Sequence, residues 1–164
     1  MAAPGFTLES ARPEDVPCLR ALIAELARFE ELTHLLEVTD DALHRDLFGP
    51  RPPVEAWIGW LDGNAVAYAM TFQTYSSFLG RPGLWLEDIY VQPAYRRLGL
   101  GKAILRSLAG QAVARGYGRF EWSVLDWNTP AQQFYEAQGA TVMPDWRIVR
   151  LTGEPLRRFA QESA

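Results

Sequence analysis

The residues best suited to chemistry lie in one short run, Arg96-Arg97-Leu98-Gly99-Leu100-Gly101-Lys102. An apolar, strand-like segment from Leu84 to Val91 leads into it, and a helical pattern from about Leu100 to Arg115 leads out. The first N–H groups of a helix have no partner within the helix, and with the helix dipole they bind anions. Glycine lets the backbone come close to the anion, while Arg96, Arg97 and Lys102 add positive charge around it. The run reads as a seat for a phosphate or pyrophosphate; the plainer alternative is a turn with a basic helix start. Spacing narrows the choice. A Walker loop needs G-x-x-x-x-G-K-[ST], but Ala103 follows Gly101-Lys102 and Arg96 holds the place of the first glycine. The dinucleotide fingerprint G-x-G-x-x-G fails because Ile104 stands where the third glycine belongs.

Just upstream, Glu87 and Asp88 interrupt the apolar segment. Strand alternation sends adjacent side chains to opposite faces. A carboxylate on a central strand needs a hydrogen-bonding partner or a water-filled cleft, so Glu87 is either a substrate-side group or a structural acid. Tyr135, taken by itself, is a helix tyrosine packed on a sheet. Other chemistries lack their parts. One cysteine, Cys18, sits in an apolar helical pattern and reads as a structural thiol. With His34 and His44 as the only histidines, a zinc site is not expected, and no metal is assigned. No G-x-S-x-G is present to carry a serine nucleophile.

The elements that must position these groups follow from pattern. Phe6 to Ser10 reads as a first strand. Pro13-Glu14-Asp15 suits a helix start, and Val16, Leu19, Leu22, Ile23, Leu26 and Phe29 recur at helical spacing. Thr39 can cap a short second helix bearing Leu43 and Leu47. Strands are expected near Val54 to Leu61, Ala65 to Tyr75 and Leu84 to Val91. Asp62-Gly63-Asn64 and Gly80-Arg81-Pro82-Gly83 supply the turns. Arg119 to Leu125 is a further strand. Thr129-Pro130 opens a helix that Gly139 ends, and short strands near Ala140 to Met143 and Arg147 to Leu151 complete the sheet. This order gives an α/β (α+β) layer architecture.

The 164 residues suit one domain, and the composition of 48% apolar and 22% charged residues suits a globular one. The net charge of −4 with no basic stripe argues against nucleic acid; an acidic surface mildly attracts a cationic small molecule. No run approaches the ~18 apolar residues of a membrane span. The N-terminal residues MAAPGF lack the pattern of a signal peptide. The expected location is the cytoplasm.

The motif R-x-x-G-x-G at Arg96 to Gly101 resembles the acetyl-CoA signature of the GCN5-related N-acetyltransferase (GNAT) superfamily, and the element order is similar too. The chain resembles most the diamine (spermidine/spermine) acetyltransferases and their thialysine-acetylating relatives. The similarity extends over about Phe6 to Leu151 and is carried by Glu25 to Glu30, Leu86 to Val91, Tyr95 to Gly101, Val124 to Asn128, Phe134-Tyr135 and Gly139-Ala140. The resemblance implies a GNAT fold with a mixed sheet of about six to seven strands and helices on both faces. It implies acetyl-CoA as donor, with coenzyme A as product. Ile89, Tyr90 and Val91 would pair with the pantetheine arm, and Arg96, Arg97, Leu98, Gly99, Leu100, Gly101 and Lys102 would wrap the pyrophosphate. Asn128 and the helix after it would touch the lower arm of the cofactor.

An amine must lose a proton before it attacks a thioester, since alkyl ammonium groups have a pKa of about 10.4. By resemblance Glu87 faces that amine, and Tyr135 is the general acid beside the departing sulfur. Phe29, Glu30, Asp126 and Trp146 take acceptor-side places on the same ground. Glu30-Glu31 otherwise reads as a solvated helix end, and Trp146 as a core cover. The chain lacks the acid that the polyamine enzymes carry around Ser76-Ser77, and its Ser76 to Arg81 stretch looks more like the thialysine type. A lysine-like or other small primary amine therefore stands beside the polyamines as acceptor. A protein lysine or N-terminus, or a non-catalytic acyl-CoA-binding module, are the rival readings. The resemblance also implies a homodimer paired through late strands.

Overall fold

The computed structural model describes residues 2–161. Residues group into two compact units that divide between Ser123 and Val124. The first unit is built on a five-stranded sheet in the order β1-β2-β3-β4-β5, with β1 Phe6–Ser10, β2 Glu55–Leu61, β3 Asn64–Ser76, β4 Arg81–Val91 and β5 Phe120–Trp122. The first four are antiparallel neighbours, and β5 lies parallel to β4. The β2–β3 turn follows from its sequence. Asp62 and Gly63 both take positive φ (50° and 78°), giving the tight two-residue turn that matches strand twist.

Three helices cover the sheet: α1 Val16–Phe29, preceded by a 3-10 turn at Pro13–Asp15; α2 Asp40–Phe48; and α3 Leu100–Ala114. Thr39 caps α2 as expected, its hydroxyl accepting from the Ala42 N–H at 3.2 Å. The helical spacing in α1 buries Val16, Leu19 and Leu22. They form one cluster with Leu43 and Leu47 of α2 and with Ala56, Ile58, Tyr68 and Tyr90 of the sheet. Leu100, Ile104, Leu108 and Ala112 of α3 are buried outside that cluster. Ala67 and Ala69 alternate with Val66 and Tyr68 along β3 and are buried as well, so both faces of the sheet are covered.

The second unit carries α4 Thr129–Glu136 and α5 Gly153–Gln161. The α4 cap is Asn128, one residue before Thr129; its Oδ1 accepts from the Ala131 N–H at 3.3 Å. Gly139 at φ 90° terminates the last turn, where only glycine is unstrained.

Three expectations need correction. The sheet has five strands among the described residues, not six to seven, because Ala140 to Met143 and Arg147 to Leu151 form no ladder. These two segments carry the β-branched residues Thr141, Val142, Ile148 and Val149, which favour strands. Pattern alone does not supply a backbone partner, however, and Ile148 and Val149 stay exposed. The second hairpin turn lies at residues 77–80, not 80–83; Arg81, Pro82 and Gly83 already pair with Ser76, Tyr75 and Thr74. β5 spans three residues, not Arg119 to Leu125.

Candidate active site

The parallel ladder between β4 and β5 stops at Leu86↔Trp122. From there to Val91, β4 is paired only with β3 among the described residues. The β3 register also changes at this point. Met70 sits opposite Asp88 and Thr71 opposite Leu86, so Glu87 is the extra residue of a β-bulge. Bulges bend a strand and re-aim a side chain. Here the bulge leaves Glu87 exposed at the start of an open strand edge, where its carboxylate accepts from Trp85 Nε1 at 3.1 Å. Beyond it the free edge runs through half-buried Ile89, buried Tyr90 and half-buried Val91.

The loop follows. Gln92 leads into a 3-10 turn at Pro93–Tyr95, and Arg97 and Gly99 then take left-handed backbone with φ 67° and 77°. A non-glycine residue there is held at a cost of about 1–2 kcal/mol; at the second position glycine removes the cost. Gly99 is the N-cap of α3, so the N–H groups of Leu100, Gly101 and Lys102 belong to the unpaired first turn. The first intrahelical bond runs from the Ala103 N–H to the Gly99 carbonyl. The Leu98 carbonyl accepts from the Ala3 N–H at 3.0 Å, which pins the loop to the N-terminal segment. Arg97 and Lys102 are exposed.

Arg96 turns the other way. Its guanidinium lies 4.4 Å from the centroid of the Phe29 ring and 5.7 Å from that of Tyr90, and its Nε donates to the Val91 carbonyl at 3.0 Å. Around this contact, Glu25 of α1 accepts from Tyr90 Oη at 3.3 Å and from Gln92 Nε2 at 3.0 Å. The end of α1 is thus tied to the end of β4 by residues from both.

That helix end is shaped with care. Glu31 adopts φ 60°, its N–H donates to Arg28 O, and the Leu32 N–H donates to Ala27 O. This is the Schellman pattern with a glutamate in glycine's usual place. It leaves Glu31 exposed and Glu30 half-buried, and burial pushes the Glu30 carboxyl above its ordinary pKa.

On the inner side of β4, Asp88 accepts from Tyr68 Oη at 3.0 Å. Burial pushes the Asp88 carboxyl up to about 6. The Tyr68 hydrogen bond opposes that rise, and the nearby Glu87 and Glu30 charges add to it. Burial, with Asp88 beside it, likewise holds the Tyr68 phenol well above its ordinary value, so it stays a donor. Tyr68 was not visible as a site residue in the sequence: an aromatic on an apolar strand reads as core, and its link to Asp88 depends on register.

In the second unit, Asp126 is exposed; its carbonyl accepts from Gln132 Nε2 at 2.9 Å. Asn128 caps α4, and Tyr135 is half-buried on that helix with its ring 5.4 Å from that of Phe134. Trp146 is 73% exposed and lies outside any regular element.

The site is thus a strand that loses its neighbour and bulges, followed by a glycine loop that opens a helix. The model of the acetyltransferase (GNAT) family matches residues 19–140. The chain belongs to this family. It is an N-acetyltransferase, similar to the thialysine N-epsilon-acetyltransferase of Mus musculus (35% identical, covering 93% of this chain and 96% of that one). It is also similar to the L-ornithine N5-acetyltransferase of Arabidopsis thaliana (34% identical, 90% and 84%). Among solved structures, a V. cholerae integron cassette protein superposes with a TM-score of 0.81 at 18% identity, covering 98% of this chain and 100% of that one. A metagenomic aminoglycoside acetyltransferase superposes with 0.78 at 15%, covering 92% and 97%. Both likenesses concern the fold. No helix among the described residues is long and apolar enough to cross a membrane.

Proposed function

We propose that this N-acetyltransferase moves the acetyl group of acetyl-CoA directly to the primary amine of a small molecule. The preferred acceptors are lysine-, thialysine- or ornithine-like, with diamines and polyamines next. The observation that carries the reading is the open edge of β4 from Glu87 to Val91, which runs straight into the glycine loop and the unpaired first turn of α3. The residues fit the donor. Ile89 to Val91 offer extended backbone groups to an amide-bearing pantetheine arm. Arg97, the Leu98-to-Gly101 backbone and Lys102 surround a pyrophosphate. When bound, acetyl-CoA supplies the thioester carbonyl that a neutral amine attacks.

The chain's own groups handle charge and protons. Glu30, Glu87 and Asp88 make the β4 side acidic, which favours a cationic acceptor. Glu87, exposed at the bulge, faces the amine. Tyr135 protonates the departing thiolate, and Asn128 contacts the lower cofactor arm; both assignments rest on the resemblance of α4 to the family pattern. Phe29, Asp126 and Trp146 complete the acceptor side on the same basis. The relatives named for thialysine and ornithine support an amino-acid side-chain amine over a polyamine, as does Ser76-Ser77 where the polyamine enzymes carry an acid. On this reading residues 1–164 work as one acetyltransferase domain, in the cytoplasm and as a homodimer, and sedimentation tests the last point.

The deciding experiment measures coenzyme A release over L-ornithine, L-lysine, thialysine, spermidine, putrescine and lysine peptides. We expect the amino acids to give the highest kcat/KM. A preference for peptides replaces the small-molecule reading, and thiol release that ignores the acceptor removes it.

A further inference from the structure

Beyond Leu86↔Trp122, β4 has a ladder partner on one side only among the described residues. A strand that is to receive a ligand along its other edge must still be held in one place. Its backbone can be oriented residue by residue. The Gln92 N–H donates to the Val66 carbonyl of β3 at 3.0 Å. Peptide groups alternate between the two edges of an antiparallel strand. Tyr90 therefore faces β3 as well, while Ile89 and Val91 turn their N–H and C=O groups to the open side. The Val91 carbonyl there accepts from Arg96 Nε at 3.0 Å. Ile89 and the Val91 N–H are the groups offered to a cofactor amide.

A side chain from α1 grips the same stretch. Tyr90 and Gln92, two positions apart, share one face of the strand, and the half-buried Glu25 carboxylate spans them. Its Oε2 accepts from Tyr90 Oη at 3.3 Å, and both oxygens accept from Gln92 Nε2, at 3.0 and 3.2 Å. The helix side of this clamp is anchored: Leu19 and Leu22 are buried, and Ile23 and Leu26, flanking Glu25, pack against the same cluster. The Gln92 side is a pivot. Its carbonyl accepts from the Tyr95 N–H at 2.9 Å, which opens the 3-10 turn. Pro93 after it favours the extended backbone found there, φ −53° and ψ 141°. The ladder ends and the loop begins at this one residue, so its orientation sets where the loop starts. A half-buried carboxylate that meets two neutral donors adds little stability, because desolvation offsets its hydrogen bonds. It does fix the direction of both donors.

We propose that Glu25 is a positioning residue for the donor site: through Tyr90 and Gln92 it holds the open edge of β4 and the start of the glycine loop in the geometry that receives coenzyme A. The inference rests on the donor reading above. Glu25 acts through those two side chains and makes no contact of its own with the cofactor. The clamp does from the strand's face what a neighbouring strand would do from its edge, and so leaves the edge open. Since α1 is anchored in the core, loss of the clamp frees the end of β4 and not the helix.

The test is a double-variant cycle on the full chain, read by calorimetric affinity for coenzyme A. Glu25→Ala and Gln92→Ala should each weaken binding by about tenfold, and the double variant should be no more than about twofold weaker than either single one. KM for acetyl-CoA should rise in step, with kcat changed less than about twofold, because the edge and loop hold the part of the donor that does not react. Amide hydrogen exchange gives the direct readout: in Glu25→Ala the Gln92 N–H should lose protection while those of Leu19 and Leu22 keep theirs. Losses that multiply in the double variant overturn the positioning role. So do variants that melt earlier yet bind coenzyme A as tightly as the wild type, the result a purely structural Glu25 would give. Glu25→Gln keeps the volume and one acceptor oxygen, and it decides the matter even where Glu25→Ala does not fold: a loss of about threefold supports the clamp, and unchanged affinity overturns it. A wild type that binds no coenzyme A overturns the donor reading itself, and this inference with it.

Discussion

The anion loop and the acidic face of the first unit are made of different materials. The loop is backbone: two left-handed residues, an unpaired helix turn and exposed cations. The acidic face is side chains from three elements, Tyr68 of β3, Asp88 of β4 and Glu30 at the end of α1, brought together by register and helix length. Backbone geometry is set by local residue choice and tolerates the loss of a neighbour. A buried carboxylate depends on every group around it. The loop should therefore respond to substitution in small steps, and the acidic face in one large step.

The largest effect is expected from Asp88→Asn, which should stabilise the protein at neutral pH. The folded pKa of Asp88 lies above its ordinary value, so its favourable contribution is complete below 3.8 and is lost as pH rises through about 6. Ionised at pH 8, this carboxylate costs about 3 kcal/mol relative to the protonated form. Asn carries no charge to desolvate. Denaturant melts should show Asp88→Asn more stable than wild type at pH 8 and equal to it at pH 4. Equal stability at both values would remove the burial argument.

Tyr135→Phe comes next and tests the second unit. Turnover should fall at least about tenfold while coenzyme A affinity by calorimetry holds. Unchanged turnover would take the general-acid role from Tyr135. Within the loop, Lys102→Ala should raise KM for acetyl-CoA by about fivefold and leave kcat alone, the loss of one exposed cation near a phosphate. A large fall in kcat from this one substitution would erase the contrast between the two regions.

The same contrast decides how much the sequence could tell. Gly99, Gly101 and the three cations are adjacent in the chain, so the anion loop could be read from spacing and helix-start physics. The Thr39 cap and the Asp62-Gly63 turn were legible for the same reason. Glu87 and Asp88 were visible as acids in an apolar strand, and resemblance put Glu87 on the acceptor side, but the difference in their burial was not legible. The bulge that exposes one and leaves the other half-buried depends on the pairing of Met70 and Thr71 across the sheet. Tyr68 and Glu25 reach partners 20 and 65 positions away, and neither contact leaves a local trace. The two late strands were expected near Ala140 to Met143 and Arg147 to Leu151 to finish the sheet, but strand-forming residues do not say whether a backbone partner exists.

Arg96 belongs to both regions, and the smallest effect is expected there. The family pattern makes it part of the pyrophosphate wrap. Its guanidinium lies over Phe29 and near Tyr90 while Nε holds the Val91 carbonyl, so it braces the end of α1 against the last residue of the open strand edge. Arg96→Lys keeps the charge but loses the planar face and the directed Nε bond. A phosphate ligand of that kind would change KM for acetyl-CoA alone. A brace would change KM for both substrates together, each by about two- to threefold, the scale of one exposed cation–π contact. Two-substrate kinetics on this variant separate the outcomes. A selective change in the acetyl-CoA term would return Arg96 to the loop, and a matched change would make it the joint through which the backbone-built half and the side-chain-built half are held in one geometry.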